Sequence, residues 1–269
     1  MNHEIFERDG YVILRKFLSD KLLASWKEAA RQFYAMQLVK IMGKSVAKLG
    51  LDELLAKLET IDKEAAYQVI PMLENCTAGR ALLNDEKLTQ AVGELLKCPP
   101  SMLVSAGPAL FLNAPNSKRL LYHWHSEMTY APKRRNFLNV WFPVARKKNQ
   151  SNGTMYFCVG SHKRDNSQFV EYQGYDEETK GKKQHFIQFE IPQSEVAEYK
   201  KMAVEAEPGD VVLFNQNLVH RSSENHSKQF SYATVIRYFD YRKDLTLAGA
   251  PGVHPYSGQA YGRPGMFPR

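Results

Sequence analysis

Apolar residues recur at helical spacing through residues 1–100 and at strand spacing afterwards, so the chain divides by period before any single residue is considered. Ser19 can cap a helix carrying Leu22, Leu23, Trp26, Ala30 and Phe33. A second helical stripe runs through Leu51, Leu54, Leu55, Leu58 and Ile61. A third starts near Asn84 or Asp85, carries Leu88, Val92, Leu95 and Leu96, and must stop before Pro99-Pro100. Ahead of them, Tyr11-Val-Ile-Leu14 reads as a short strand. From residue 101 the apolar or alternating segments are 102–112, 120–127, 137–144, 154–159, 186–191, 202–206, 210–215 and 230–239. Asn152-Gly153, Gly160-Ser161 and Pro208-Gly209-Asp210 punctuate them as turns. Short strands so divided predict a mainly β protein with flanking helices, built as a double-sheet jelly roll. The expected organisation is one domain over 1–269: helices in 1–100, the jelly-roll core in 101–245 and an irregular tail in 246–269. The polar stretch 163–201, with a short helix at 193–201, has the length of a functional loop.

Composition narrows this picture. The chain has 269 residues, 43% of them hydrophobic and 12% aromatic, enough for a substantial core. The N-terminus is charged, without an apolar signal region, and no run approaches membrane-spanning length. Cys76, Cys98 and Cys158 are scattered and lack metal-type spacing, which suits reduced thiols in the cytoplasm. The net charge of +7 permits an anionic partner. The basic runs Lys133-Arg134-Arg135, Arg146-Lys147-Lys148 and 180–183 come with no nucleic-acid-binding signature, so solvated loops are the plain reading and no nucleic acid is expected. The run at 133–135 is the best placed to meet a charged group on a small-molecule substrate.

That placement matters because of His125-Ser126-Glu127. On a strand, side chains two apart project to the same side, so the imidazole and carboxylate would point together. Among Leu121, Trp124 and Met128, such groups are costly to bury without a partner. His220 follows a buried-strand pattern, Val211-Val-Leu-Phe214, and precedes a polar turn, where a ligand at a strand end would sit. Two histidines and one carboxylate form the facial ligand set of non-haem Fe(II) oxygenases, with positions left open for reactants. His123 competes with His125, being on the same predicted face, but a cupin site using both would place three or four residues between the second histidine and the Glu, and here only Ser126 intervenes. It is read as a pocket residue. His162 reads as a turn residue, and His3, His185, His226 and His254 belong to no constellation.

Taken in order, Phe6-Glu-Arg-Asp-Gly-Tyr-Val-Ile13, His125-Ser-Glu127 with Tyr130, Asn152 through His162, Pro208 through Phe214, and His220-Arg-Ser222 with Asn225-His-Ser227 resemble the phytanoyl-CoA dioxygenase family of Fe(II)/2-oxoglutarate oxygenases. The resemblance implies a double-stranded β-helix with helices on one side. It implies His125, Glu127 and His220 as metal ligands, and Ser222 and Trp141 as contacts of 2-oxoglutarate. The family more often has Asp where Glu127 stands, a tolerable change since both supply one oxygen. It also implies an arginine at the position of Ser231, forking onto the distal carboxylate of 2-oxoglutarate. Arg237, of the same strand parity, either takes over that role or is paired structurally.

The implied reaction couples O2 and 2-oxoglutarate to oxidation of a small molecule, with succinate and CO2 released. His123, Tyr130 and Asn139 are the candidate substrate contacts, and 163–201 the candidate lid. The competing reading keeps the barrel and its metal but not 2-oxoglutarate, as a cupin-like metal-binding protein.

Overall fold

A computed structural model describes residues 3–118, 121–130, 136–164, 166, 170–173 and 187–243, with Tyr130, 170–173 and 187–188 described by backbone alone. The helices are α1 (His3–Asp9), α2 (Asp20–Met42), α3 (Leu51–Ile61), α4 (Lys63–Asn75), α5 (Thr77–Leu83), α6 (Glu86–Leu96), α7 (Glu127–Tyr130) and α8 (Gln193–Ala197). The strands are β1 (Tyr11–Leu14), β2 (Leu103–Asn113), β3 (Phe137–Pro143), β4 (Met155–Cys158), β5 (Val170–Gln173), β6 (Ile187–Glu190), β7 (Lys201–Ala203), β8 (Val211–Asn215), β9 (His220–Ser222) and β10 (Ser231–Asp240). One sheet runs β1-β8-β3-β10-β2, a second runs β7-β4-β9, and β5 pairs with β6.

Alternation along the large sheet sorts its side chains into two cores. Leu110 and Leu112, Leu138, Val140 and Phe142, Val211 and Leu213, and Tyr232, Ile236 and Tyr238 face the helices. The intervening Trp141, Val212, Phe214, Ala233 and Val235 join Met155 and Phe157 of the small sheet in a second core inside the barrel. Both faces are therefore buried, which is why 137–143 reads as a nearly unbroken apolar run.

The helix layer is set by caps and stripes. Ser19 Oγ accepts from Leu22 N–H at the start of α2, and Gly43, in the left-handed region, closes its end. Leu23, Trp26, Ala30, Tyr34 and Leu38 form its buried stripe, with Trp26 edge-on to Tyr232 of β10. Asp85 caps α6 through Leu88 N–H. The helices at 63–75 and 77–83 are not predicted by the sequence pattern. Pro71 sits inside the first, and the second follows it directly, with Gly79 packed on its backbone. A Cβ at Gly79 would come within 2.0 Å of the Leu73 carbonyl oxygen, so only glycine permits that junction. The predicted strand at 120–127 does not form over its described residues, 121–127, either. His125 makes a single bridge to His220, and Glu127 already opens α7. Thr129, bonded through N–H and Oγ1 to the Ser126 carbonyl, turns the chain there. The predicted tail at 246–269 lies outside the described residues, as do 165, 167–169 and 174–186 of the 163–201 stretch, whose predicted short helix is α8.

The Pro208-Gly209-Asp210 turn docks the N-terminal segment on the barrel. Asp210 accepts from the N–H groups of Lys16 and Glu207 and from Arg15 Nη1. Burial opposes its ionisation, but these donors prevail and hold its carboxyl below the usual aspartate range. Asp210→Ala should strand two backbone donors and lower stability by about 1–3 kcal/mol in urea unfolding at pH 7. Because the folded-state value is the lower one, this contribution is complete above the unfolded aspartate range. It fades as pH falls through the folded value, so the gap between wild type and variant should close in acid.

Candidate metal centre

His125 and His220 lie far apart in the chain but on one rung of the barrel. His125 N–H donates to the His220 carbonyl at 2.9 Å, and His220 N–H to the His125 carbonyl at 2.8 Å. Their rings stand 4.2 Å apart between centroids. Each ring is also fixed at its other nitrogen: Nδ1 of His125 lies 2.6 Å from the His123 carbonyl, and Nδ1 of His220 2.9 Å from the Leu218 carbonyl. A carbonyl can only accept, so each Nδ1 carries the proton and each Nε2 keeps its lone pair. Burial, reinforced by the neighbouring His220, holds His125 well below the ordinary histidine range. Burial also lowers His220, against the pull of Glu127. Both imidazoles are therefore neutral donors, as a metal requires.

Glu127 completes the set from the first residue of α7, whose N–H donates to the Gln216 carbonyl at 3.0 Å. Its carboxylate is 3% exposed and lies 3.7 Å from His220 Nε2. One ligand atom from each of His125, Glu127 and His220 falls within 4.8 Å of the others, the one such cluster among the described residues. Arg237 grips the same carboxylate as a fork, Nε to Oε2 and Nη2 to Oε1, both at 3.1 Å.

The remaining sequence candidates divide by position. Trp141 and Asn139 point into the barrel from β3, where Asn139 is paired across the sheet with Arg237 and Phe214. Asn139 is fully buried, and neither its amide nitrogen nor its oxygen has a hydrogen-bond partner. Orphaned polar atoms at such depth call for a bound group. Ser222 lies on the same side of β9 as His220, and its N–H bonds the Tyr122 carbonyl. Arg221 faces away, its guanidinium over Trp124 and Tyr156. His123 is half-exposed, with its ring 4.0 Å from the Glu190 carboxylate, so it contributes its carbonyl rather than its ring. His162 packs on Gly10 and lies near the Glu7 carbonyl, so it serves the turn and not the metal cluster. The side chain of Tyr130 lies outside the described residues, as does the run at 133–135.

Gln216 is a positioning residue that the sequence pattern does not flag. Its carbonyl receives Glu127 N–H, while its Oε1 accepts from the N–H groups of Asn136 and Phe137. Its only signal is its place just after the buried strand β8.

A jelly-roll barrel that brings two neutral imidazoles and one carboxylate together at its interior defines the class of non-haem iron oxygenases. Within that class, the chain matches the phytanoyl-CoA dioxygenase family over residues 6–232, and it belongs to that family. Solved structures with the same fold include SnoK, a non-heme alpha ketoglutarate dependent carbocyclase from nogalamycin biosynthesis. It is 18% identical with a TM-score of 0.58, covering 97% of this chain and 92% of SnoK. EctD from S. alaskensis with bound Fe is 17% identical with a TM-score of 0.57, covering 89% of this chain and 76% of EctD. AviO1 from Streptomyces viridochromogenes Tue57 is 19% identical with a TM-score of 0.55, covering 88% of this chain and 93% of AviO1. Family membership decides between the two readings of the barrel. The protein is an Fe(II)/2-oxoglutarate-dependent dioxygenase.

Proposed function

We propose that His125, Glu127 and His220 hold the ferrous ion, that Trp141 and Ser222 contact 2-oxoglutarate, and that Asn139 meets a bound reactant. The observation that carries this reading is the pair of imidazoles locked with Nε2 free beside a carboxylate, in a barrel of the right family. When bound, iron and 2-oxoglutarate supply a coupled oxidation, in which O2 gives one oxygen to succinate as CO2 leaves and the other to the substrate. The protein's own part is orientation. The backbone aims both rings, Arg237 and Gln216 fix the carboxylate, and the aromatic barrel core limits water.

The substrate is a small molecule. Its being anionic is supported by the net charge of +7 and by the basic run Lys133-Arg134-Arg135, which follows Glu127 closely in sequence. No described helix is long and apolar enough to cross a membrane. Three unpaired cysteines, two of them buried, support a reducing, cytoplasmic setting.

Anaerobic addition of Fe(II) and then 2-oxoglutarate to metal-free protein should raise a visible charge-transfer band. His125→Ala and His220→Ala should each lose it, with Fe(II) binding weakened by more than about 10-fold. A full band in either variant would remove that histidine from the ligand set. Succinate release across a panel of carboxylated and phosphorylated metabolites, against neutral analogues, would then test the charge preference.

A further inference from the structure

Lys148 is the one lysine or arginine among the described residues whose side chain is buried, at 1% exposure. It belongs to Arg146-Lys147-Lys148, yet it is drawn into the barrel wall by backbone pairing with Ala206 in both directions, at 2.8 and 3.1 Å. Its ammonium donates to Asn113 Oδ1 and to Ser231 Oγ, each at 2.7 Å. Both partners are neutral, and no carboxylate among the described residues pairs with it. Burial alone pulls its pKa down to about 7. A cation desolvated without a counter-charge is costly, and such a cost persists where a ligand repays it.

Its location says which ligand. Ser231 and Asn113 oppose one another across β10 and β2. Ser231, Ala233, Val235 and Arg237 alternate along one side of β10, whose register with β3 is unbroken from Ala233 to Phe239. Ala233 and Val235 belong to the barrel core, and Arg237 bonds Glu127. The ammonium is therefore on the inner wall, on the same side of the strand as the metal-binding groups. A second route agrees: Phe111, the next inward residue on β2 from Asn113, meets the ring of Tyr122, which in turn meets His125. Only small or apolar side chains, Ala233 and Val235, separate Ser231 from Arg237 on β10.

2-Oxoglutarate carries a carboxylate at each end. Chelation through its 2-oxo acid end leaves the distal carboxylate inside the barrel, where it needs a cation. Arg237 is already forked onto Glu127. We infer that Lys148 binds the distal carboxylate of 2-oxoglutarate, with Ser231 and Asn113 holding its ammonium in place. This rests on the reading of His125, Glu127 and His220 as the iron site. It assigns to one strand-edge lysine the role that Ser231 is too short and neutral to play.

The test compares 2-oxoglutarate with 2-oxopentanoate, which keeps the chelating end but has a methyl group in place of the distal carboxylate. Dissociation constants are read anaerobically from the visible band of the Fe(II) protein for wild type, Lys148→Met, Lys148→Gln and Lys148→Arg. The glutamine variant retains polar contacts to Asn113 and Ser231, so it reports on charge if the methionine variant folds poorly. Fe(II) affinity and thermal midpoint are followed in parallel. Lys148→Met and Lys148→Gln should weaken 2-oxoglutarate about 10- to 100-fold while leaving 2-oxopentanoate nearly unchanged, and Lys148→Arg should restore much of the loss. Equal weakening of both acids would reduce Lys148 to a structural strut, and unchanged 2-oxoglutarate binding in the glutamine variant would also overturn the assignment. In both cases the iron site would stand. Wild type that binds Fe(II) but shows no band with either acid would overturn the reading beneath it as well.

Discussion

Replacing Glu127 with alanine is expected to abolish succinate release and also to lower the stability of the metal-free protein by about 3–5 kcal/mol. The two losses have separate causes. The first is removal of the one carboxylate in the cluster with His125 and His220. The second comes from Arg237, 15% exposed, which would lose both bonds of its fork and remain as a cation with no partner on Glu127. Glu127→Gln separates them. It keeps an acceptor oxygen for Arg237 but loses the charge that holds a divalent ion, so it should be inactive with a smaller deficit in urea unfolding. Succinate release at the wild-type rate in either variant would remove Glu127 from the reaction.

Arg237→Met should show the converse imbalance. The Glu127 carboxylate, buried beside two neutral imidazoles, would lose its cation, at a cost of about 3–5 kcal/mol to the metal-free fold. A divalent ion supplies the missing positive charge. Thermal melting with and without Mn(II) should therefore show a larger metal-induced rise in the variant than in wild type. Equal metal-induced shifts in the two proteins would show that Arg237 does not balance Glu127.

The residues of the cluster were legible because polar side chains interrupt an apolar run at His125-Ser-Glu127, where burial has to be repaid, and because His220 stands between a buried strand and a polar turn. The family's segments pointed to the barrel, since Asp9-Gly10 and Gly160-Ser161-His162 meet through Gly160 N–H on the Asp9 carbonyl. The local form around Glu127 was not legible. An alternating segment predicts a strand, and only the long-range bonds to His220 and Gln216 decide for one bridge and a helical turn. Lys148 was hidden for a similar reason. In a run of basic residues its local surroundings read as solvated, and its burial comes from pairing with Ala206, remote in sequence. Arg237 was visible by strand parity, but parity does not choose between Glu127 and a cosubstrate carboxylate.

The mutual backbone bonds of His125 and His220 carry one more implication. Both nitrogen donors hang from a rung made of backbone hydrogen bonds, so removing the ion with a chelator is expected to leave that rung in place and to allow refilling without refolding. Reconstitution should then proceed at the pace of ligand exchange on the ion, and amide deuteration at these two positions should stay slow in stripped protein.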